Sequence, residues 1–271
     1  MVKKKSLSLQ QKTEHIIEKQ MKIALITGAT SGIGQAIAVH LAKEKFSLIL
    51  TGRRKERLED LKCDLELAYR ANVLALCFDV RVYEQVERAL NTLPDEWKDI
   101  DILVNNAGLA AGLAPVYAAD LSDWEQMIDT NIKGLLYVTR LVTPGMVTRK
   151  SGHIINIGSI SGKKVYPNGS VYCATKHAVR ALSEGMRMDL LPFGIRVTEI
   201  CPGAVETEFS LVRFKGDAQR AEQVYQGFRP LVAADIAEAV YFVISQPQDI
   251  SIQDITITPT AQADATLIHR K

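Results

Sequence analysis

The sequence alternates short apolar runs with longer stretches of helical periodicity from residue 21 onward. Several of the runs are rich in Ile, Val and Leu without polar alternation, as in strands that helices cover on both faces. Strands and helices that alternate along one chain predict a parallel sheet with crossover helices. The predicted strands are 23–27, 46–50, 73–78, 102–105, 153–157, 195–200 and 252–258. We therefore predict an α/β fold, with a single-domain doubly wound parallel sheet of about seven strands over residues 21–271.

Start and stop signals place the helices between these strands. Ser122 followed by Glu125 is a capping-box pattern that predicts the start of a long helix, and Pro144 is expected to disturb its far end. Gly194 is expected to end a helix that starts near residue 170. Residues 204–230 have no clear strand periodicity and follow a strand end, so we predict a substrate lid there. Residues 1–20 read as a polar N-terminal extension.

Composition and charge narrow the choice of partner. The 271 residues include 33 basic and 31 acidic side chains, and a formal charge of +2 gives no reason to expect nucleic acid. No stretch has the apolar length of a membrane span or a signal peptide, so we expect a cytoplasmic protein that does not bind membranes. The four cysteines lack metal-ligand spacing, and no metal is expected. A small molecule is therefore the expected ligand.

A glycine-rich segment, TGATSGIG at 27–34, links the first strand to a helical stretch. Small residues let the backbone approach a pyrophosphate, and the helix N-terminus adds free N–H groups and partial positive charge. This context predicts a dinucleotide site and makes the sheet Rossmann-type, although a glycine-rich turn without a ligand is the alternative. The loop residues assigned to the cofactor are Gly28, Thr30, Ser31, Gly32, Ile33 and Gly34.

The end of the second strand indicates which dinucleotide binds. An NAD site places an acidic residue there, whereas this chain has Arg53 and Arg54, whose planar donors suit a 2′-phosphate. NADP is therefore the predicted cofactor. In the alternative, the two arginines only begin a charged helix and pair with Glu56 or Glu59. The ends of the third and fourth strands add further cofactor residues, namely Asp79, Val80, Asn106, Ala107 and Gly108.

Three residues have the chemistry of alcohol oxidation. Tyr172 and Lys176 are four residues apart in a helical stretch and share one face, and Ser159 follows a strand end. Removing a hydride from an alcohol also requires a base for the hydroxyl proton. A neighbouring ammonium is expected to favour the phenolate of Tyr172, while Ser159 donates a hydrogen bond to the substrate oxygen. Lys176 is also expected to hold ribose hydroxyls, so it joins Tyr172 in the cofactor set.

Five motifs in order resemble the short-chain dehydrogenase/reductase family over residues 21–259. They are TGATSGIG, NNAG, DTNIKG with Asn131, GSISG with Ser159, and YCATK. The resemblance implies a catalytic set of Asn131, Ser159, Tyr172 and Lys176, with Asn131 holding a water that relays protons. It also implies a homotetramer, and a nicotinamide end at Pro202, Gly203, Val205 and Thr207. A polar helix residue satisfied by backbone is the alternative for Asn131.

VYCATK, PGAVETEFSLVRFKGD and ITPTAQ resemble the branch of NADP-dependent 3-hydroxy acid dehydrogenases that oxidise serine and L-allo-threonine. A carboxylate substrate needs a cation, for which Arg213 and Lys215 are the candidates and Lys163 and Lys164 the competitors. Each of these could instead be a solvated charge, or a partner of Glu206 or Glu208. A broad-specificity NADPH-dependent carbonyl or diketone reductase is the alternative function. A cofactor-binding protein without turnover is the third possibility.

Overall fold

Parallel strands form the centre of the computed structural model, which describes residues 21–271. The predicted extension at 1–20 lies outside the described residues. The nine strands in this range are β1 Ile23–Ile26, β2 Ser47–Gly52, β3 Val73–Cys77, β4 Ile100–Asn105, β5 His153–Ile157, β6 Arg196–Pro202, β7 Val205–Glu206, β8 Leu231–Val232 and β9 Asp254–Ile257. Seven of them form one sheet in the order β3-β2-β1-β4-β5-β6-β9, all parallel. The predicted sheet is confirmed.

Helices cover both faces of the sheet. They are α1 Gly32–Lys43, α2 Lys55–Tyr69, α3 Tyr83–Asn91, α4 Leu121–Ile128, α5 Leu135–Arg149, α6 Ser170–Leu190, α7 Phe209–Arg213, α8 Ala218–Gln223 and α9 Ala233–Ile244. Because alternate strand residues point to opposite faces, Ile26 joins a core with α1, α2 and α9, whereas Leu25 joins another with α3, α5 and α6. No helix within residues 21–271 is both long and apolar enough to cross a membrane.

The helix predicted to start at Ser122 differs from the expectation. Asp120, not Ser122, is the N-cap, and its carboxylate accepts a hydrogen bond from the Ser122 backbone N–H at 2.9 Å. An aspartate accepts that bond as well as a serine does, so the cap lies two residues earlier. The helix is also interrupted, since α4 ends at Ile128 and a π-helical turn, Asp129–Gly134, separates it from α5.

Pro144 lies inside α5, which continues to Arg149, so the prediction of a disturbed end was wrong. A proline removes one N–H donor from the helix ladder. Here the helix retains its buried apolar face, with Val142 and Met146 packed against the sheet. In contrast, Gly194 adopts φ 66°, in the left-handed region, directly after the short turn Leu191–Phe193 that follows α6. The predicted stop at Gly194 is confirmed.

The segment predicted as a lid, residues 204–230, contains the short helices α7 and α8. Its two ends are tied together by a parallel pair, β7 with β8, which sequence periodicity did not reveal. Each of these strands has only two residues, too few for a period to be visible. The lid segment is therefore an excursion that leaves the sheet after β6 and returns before α9.

Candidate active site

A cleft of about 500 Å³ opens at the carboxyl ends of the strands. Its centre lies where β1 has β2 on one side and β4 on the other, the point at which the chain order of the strands reverses. Doubly wound sheets bind ligands at such a switch point. All the predicted cofactor residues line the cleft except Gly34, and so do Ser159 and Arg213. Asn131 and Lys215 are not part of its lining.

The glycine loop is shaped by close backbone contacts. Gly28 and Gly32 have φ values of 65° and 54°, which favour glycine. Gly34 has no room for a side chain, because a Cβ there would lie 2.4 Å from both the Gly28 carbonyl oxygen and the Asn106 amide nitrogen. Asn106 donates to the carbonyls of Thr27 and Gly28 at 2.8 and 3.1 Å. Asn106 therefore braces the loop, and Gly34 acts in packing rather than by lining the cleft.

Arg54 lies at the end of the cleft where the 2′-phosphate is expected. Its guanidinium donates to the hydroxyl oxygens of Thr30 and Ser31 at 2.8 and 2.7 Å. Another bond, from Nη1, reaches Glu208 of the lid segment at 3.0 Å, not Glu56 or Glu59 as the alternative proposed. The guanidinium is thus held beside two hydroxyl groups, an arrangement suited to phosphate oxygens.

The neighbouring Arg53 is mostly exposed and lies 4.0 Å from Asp79. Asp79 also bonds Arg81 through both carboxylate oxygens, at 2.6 to 3.0 Å. Burial raises the pKa of Asp79, but the bonds and charge of Arg81 outweigh it, so the pKa is lowered. Asp79 is therefore a charged acceptor at neutral pH, at the place where adenosine is expected.

Three of the four predicted catalytic residues converge at the other end of the cleft. Tyr172 and Lys176 lie on α6 and are almost fully buried, and Ser159 lies two residues after the end of β5 and caps the turn Ile160–Gly162. The Lys176 ammonium donates to the Ile157 carbonyl at 2.9 Å. Helix spacing and the β5 end thus bring the three side chains to one cleft, as predicted.

Burial is the main influence on the pKa values of Tyr172 and Lys176. Burial raises the pKa of Tyr172, repulsion from Tyr166 when that residue is ionised adds to this, and the Ser159 hydroxyl and Arg213 only partly oppose it. Burial also lowers the pKa of Lys176 to about 8, against the attraction of Glu199. The desolvation of the buried phenol dominates in this arrangement. The favouring of the phenolate by the Lys176 ammonium stays a prediction.

Asn131 lies in the π-helical turn, and its side chain is engaged by other parts of the chain. Its amide donates to the Leu109 carbonyl at 2.8 Å and to the Thr175 hydroxyl at 3.0 Å, and its oxygen accepts from the Leu109 N–H at 2.8 Å. The contacts with Leu109 match the alternative of a polar helix residue satisfied by backbone. Asn131 therefore ties the segment after β4 to α6, and its water-holding role stays a prediction.

Arg213 is the cation that faces Tyr172. Its guanidinium carbon lies 5.7 Å from the centre of the Tyr172 ring, and its Nη2 donates to the Tyr166 hydroxyl at 2.9 Å. Within residues 21–271 it has no acidic partner within 4.0 Å. An unpaired guanidinium beside the predicted proton acceptor suits a substrate carboxylate.

The other candidate cations are directed elsewhere. Lys215 pairs with Asp123 at 2.9 Å and with Asp120 at 3.5 Å, outside the cleft, so its prediction as a substrate residue was wrong. Lys163 bonds Asp254 and Thr256 on the last strand of the sheet. Neither Lys163 nor Lys164 lines the cleft. Lys163 and Lys164 became candidates because they follow Ser159 in the sequence. Their position in the sequence did not reveal that Lys163 pairs with Asp254.

Sequence reasoning gave no role in the cleft to several residues that line it, among them Tyr166, Glu208 and Gln262. Tyr166 lies between the predicted Ser159 and Tyr172, and Glu208 lies inside the quoted motif PGAVETEFS. Gln262, from ITPTAQ, accepts a hydrogen bond from the Ala204 N–H at 2.8 Å and so fixes the start of the lid segment. The family motifs that contain Glu208 and Gln262 could have marked both residues as candidates for the cleft. The hydrogen-bond partners of each side chain depend on the fold and could not be predicted from the motifs.

Comparison with known proteins identifies the class. A model of the short chain dehydrogenase family matches residues 22–217, and the chain belongs to that family. The NADP-dependent 3-hydroxy acid dehydrogenase YdfG of Salmonella typhi is 49% identical over 250 residues, which cover 92% of this chain and 99% of the relative. The serine 3-dehydrogenase of Agrobacterium fabrum is 46% identical over 241 residues, with 89% and 95% covered.

A solved structure agrees with the sequence comparisons. It is described as the closed form of serine dehydrogenase complexed with NADP+. It matches with a TM-score of 0.86 and 48% identity, and the match covers 92% of this chain and 100% of that one. The predicted family and fold are therefore confirmed.

Proposed function

We propose that this protein is an NADP-dependent oxidoreductase that transfers a hydride between the nicotinamide and the hydroxyl-bearing carbon of a 3-hydroxy acid such as serine or L-allo-threonine. The names of the relatives at 46 to 49% identity support this choice. The observation that carries it is Arg213, a cation beside Tyr172 with no acidic partner in the described part of the chain. A carboxylate bound there would place the 3-hydroxyl within reach of the tyrosine.

The residues present fit NADP. The glycine loop offers backbone N–H groups at the start of α1, and Arg54 with Ser31 and Thr30 offers donors for a 2′-phosphate. The bound cofactor supplies the hydride acceptor in oxidation and the donor in reduction. The charge and donors needed at each end of the dinucleotide are therefore present in one cleft.

Each catalytic side chain has one task in this proposal. As the phenolate, Tyr172 takes the hydroxyl proton in oxidation, and as the phenol it returns that proton in reduction. Ser159 donates a hydrogen bond to the substrate oxygen, which orients it and stabilises developing negative charge. Lys176 holds the ribose hydroxyls, and Asn131 fixes the segment around Leu109 through its three hydrogen bonds. The Asn131 side chain therefore positions its neighbours.

Kinetics of Arg213→Gln test the substrate class. With L-serine, kcat/KM is expected to fall on the order of 100-fold, since a hydrogen bond to a charged group contributes up to about 3 kcal/mol. With L-serinamide, which lacks the carboxylate, the loss is expected to stay within about three-fold. Lys215→Gln removes a lid cation that already pairs with Asp123, and serves as the matched control.

Two results would contradict the proposal. An equal loss with both substrates would mean that Arg213 supports Tyr166 and Tyr172 rather than the carboxylate. A wild-type preference for an uncharged ketone with NADPH over any 3-hydroxy acid would instead support the broad carbonyl reductase. Arg213→Lys is expected to restore part of the selectivity for the acid, because it keeps the charge while losing the planar fork.

Three further parts of the proposal follow from the sequence: the tetramer from the family resemblance, and the location and the lid from the residue patterns. We infer that the protein acts in the cytoplasm as a homotetramer, with residues 204–230 as a lid over the substrate. The lid carries Arg213 and crosses the cleft, so its movement would control substrate access. Light scattering in solution tests the tetramer, and a monomeric or dimeric mass would contradict it.

A further inference from the structure

Glu208 connects the lid segment to the opposite end of the cleft. It directly precedes α7, and its carboxylate reaches Arg54 Nη1 at 3.0 Å and Arg57 Nη1 at 2.8 Å. Both arginines follow β2, on the far side of the glycine loop. The lid is thus held to the central sheet region by one carboxylate and two guanidinium groups.

The position of this contact coincides with the anion site. Arg54 uses Nε and Nη2 for the hydroxyls of Thr30 and Ser31, and Nη1 is left for Glu208. Hydrogen bonds from Arg54 and Arg57 lower the pKa of Glu208, so the side chain is anionic at neutral pH. A carboxylate therefore neutralises the cation that the proposed function assigns to the 2′-phosphate.

We propose that Glu208 is an internal competitor of the cofactor's 2′-phosphate, holding Arg54 and Arg57 and fastening the lid until the phosphate displaces it. The inference rests on the proposed use of NADP. It makes Glu208 a determinant of cofactor affinity. It also links cofactor binding to the lid segment that carries Arg213, five residues further along the chain.

Binding of the cofactor's adenosine half tests the competition directly. Glu208→Gln keeps the shape and removes the charge, and the side chain is 43% exposed, so packing is not expected to change. By calorimetry the variant is expected to bind 2′,5′-ADP about five- to ten-fold more tightly than the wild type, because a negative charge beside the phosphate is removed. Binding of 5′-AMP, which lacks the 2′-phosphate, is expected to stay the same.

Glu206→Gln is the matched control. Glu206 is an exposed lid acid two residues away and has no ion pair in the part of the chain that the structure describes. Its variant is expected to bind 2′,5′-ADP like the wild type. An affinity of Glu208→Gln that is unchanged or weaker would overturn the competition. If the wild type binds 2′,5′-ADP no better than 5′-AMP, the proposed use of NADP itself fails.

Limited trypsin digestion tests the fastening of the lid. Lys215 is exposed on the lid, and cleavage after it can be followed by mass spectrometry. We expect 2′,5′-ADP to speed this cleavage in the wild type, and Glu208→Gln to be cleaved rapidly without ligand. 5′-AMP is expected to have no effect on either protein. The same cleavage rate in all these samples would overturn the lid part of the proposal.

Discussion

His153 predicts a specific loss of stability on acidification. The ring lies at the start of β5, is 1% exposed, and has Nε2 at 2.8 Å from the Thr198 hydroxyl oxygen. That hydroxyl donates its only proton to the Ile252 carbonyl, so Nε2 of His153 is the donor in their bond. Nδ1 is buried without a hydrogen-bond partner among the described residues. A proton added at Nδ1 would therefore be a buried donor with no acceptor.

Burial, together with the charges of Arg196 and Lys22, lowers the pKa of His153 to about 3 from an ordinary value of 6.5. Between these two pH values the unfolded chain binds more protons than the folded one, so stability falls as the pH falls. The loss begins near pH 6.5 and is complete near pH 3. One proton corresponds to about 1.36 kcal/mol per pH unit, which gives about 2 kcal/mol between pH 6.5 and pH 5.

Urea unfolding at fixed protein concentration, compared at about pH 7 and pH 5, measures this loss. His153→Gln keeps an amide donor towards Thr198 and cannot be protonated, so its stability is expected to fall by about 2 kcal/mol less than that of the wild type. His177→Gln, at an exposed histidine on α6, is the control and is expected to follow the wild type. Equal pH dependence in wild type and His153→Gln would refute the reasoning.

Two further predictions concern the site. Tyr172→Phe is expected to abolish turnover while NADPH binding, followed by fluorescence, stays close to that of the wild type; substantial residual kcat would exclude the tyrosine as the base. Gly34→Ala is expected to lower Tm by several degrees and weaken cofactor binding, because its Cβ would lie 2.4 Å from Asn106 and Gly28. Gly185→Ala, in open space on α6, is the control and should slightly stabilise the protein, whereas an equal Tm loss there would contradict the packing argument.

The sheet could be predicted because its signal is local. Most of the seven strands are rich in apolar residues, and the observed bounds differ from the prediction by only a few residues. The sequence does not reveal the π-helical turn at Asp129–Gly134, because the spacing of its apolar residues continues that of the flanking α-helices. It coincides with the hydrogen bonds of Asn131 to Leu109 and Thr175, partners 22 and 44 residues away. Interactions of this length are not visible in a sequence window.

The candidate site likewise contains residues that could be predicted from local sequence and residues that could not. Gly28, Tyr172 and Ser159 were found because backbone demands and proton chemistry restrict the residue type at those positions. Lys215 was assigned to the substrate because it lies near Arg213 in sequence, and only the fold shows its partners Asp123 and Asp120. Cations are abundant on a lid, so charge alone does not identify the one that faces the cleft. Which cation faces the cleft depends on which lysine or arginine has an acidic side chain beside it in the fold.

Arg213 and Lys176 have different effects on the proton acceptor. Lys176 donates to the Ile157 carbonyl, and burial lowers its own pKa to about 8. Arg213 is one of the groups that lower the pKa of Tyr172, although burial prevails. A substrate carboxylate bound to Arg213 would neutralise part of the guanidinium charge. The effect of Arg213 on the pKa of Tyr172 would then be smaller when the substrate hydroxyl reaches the tyrosine. Proton transfer to Tyr172 therefore depends on the hydrogen bond from Ser159 and on a charged Lys176, so oxidation of a 3-hydroxy acid is expected to slow as the pH rises through about 8. A pH profile of kcat measures this, and a rate that does not fall above pH 8 would contradict the role of Lys176.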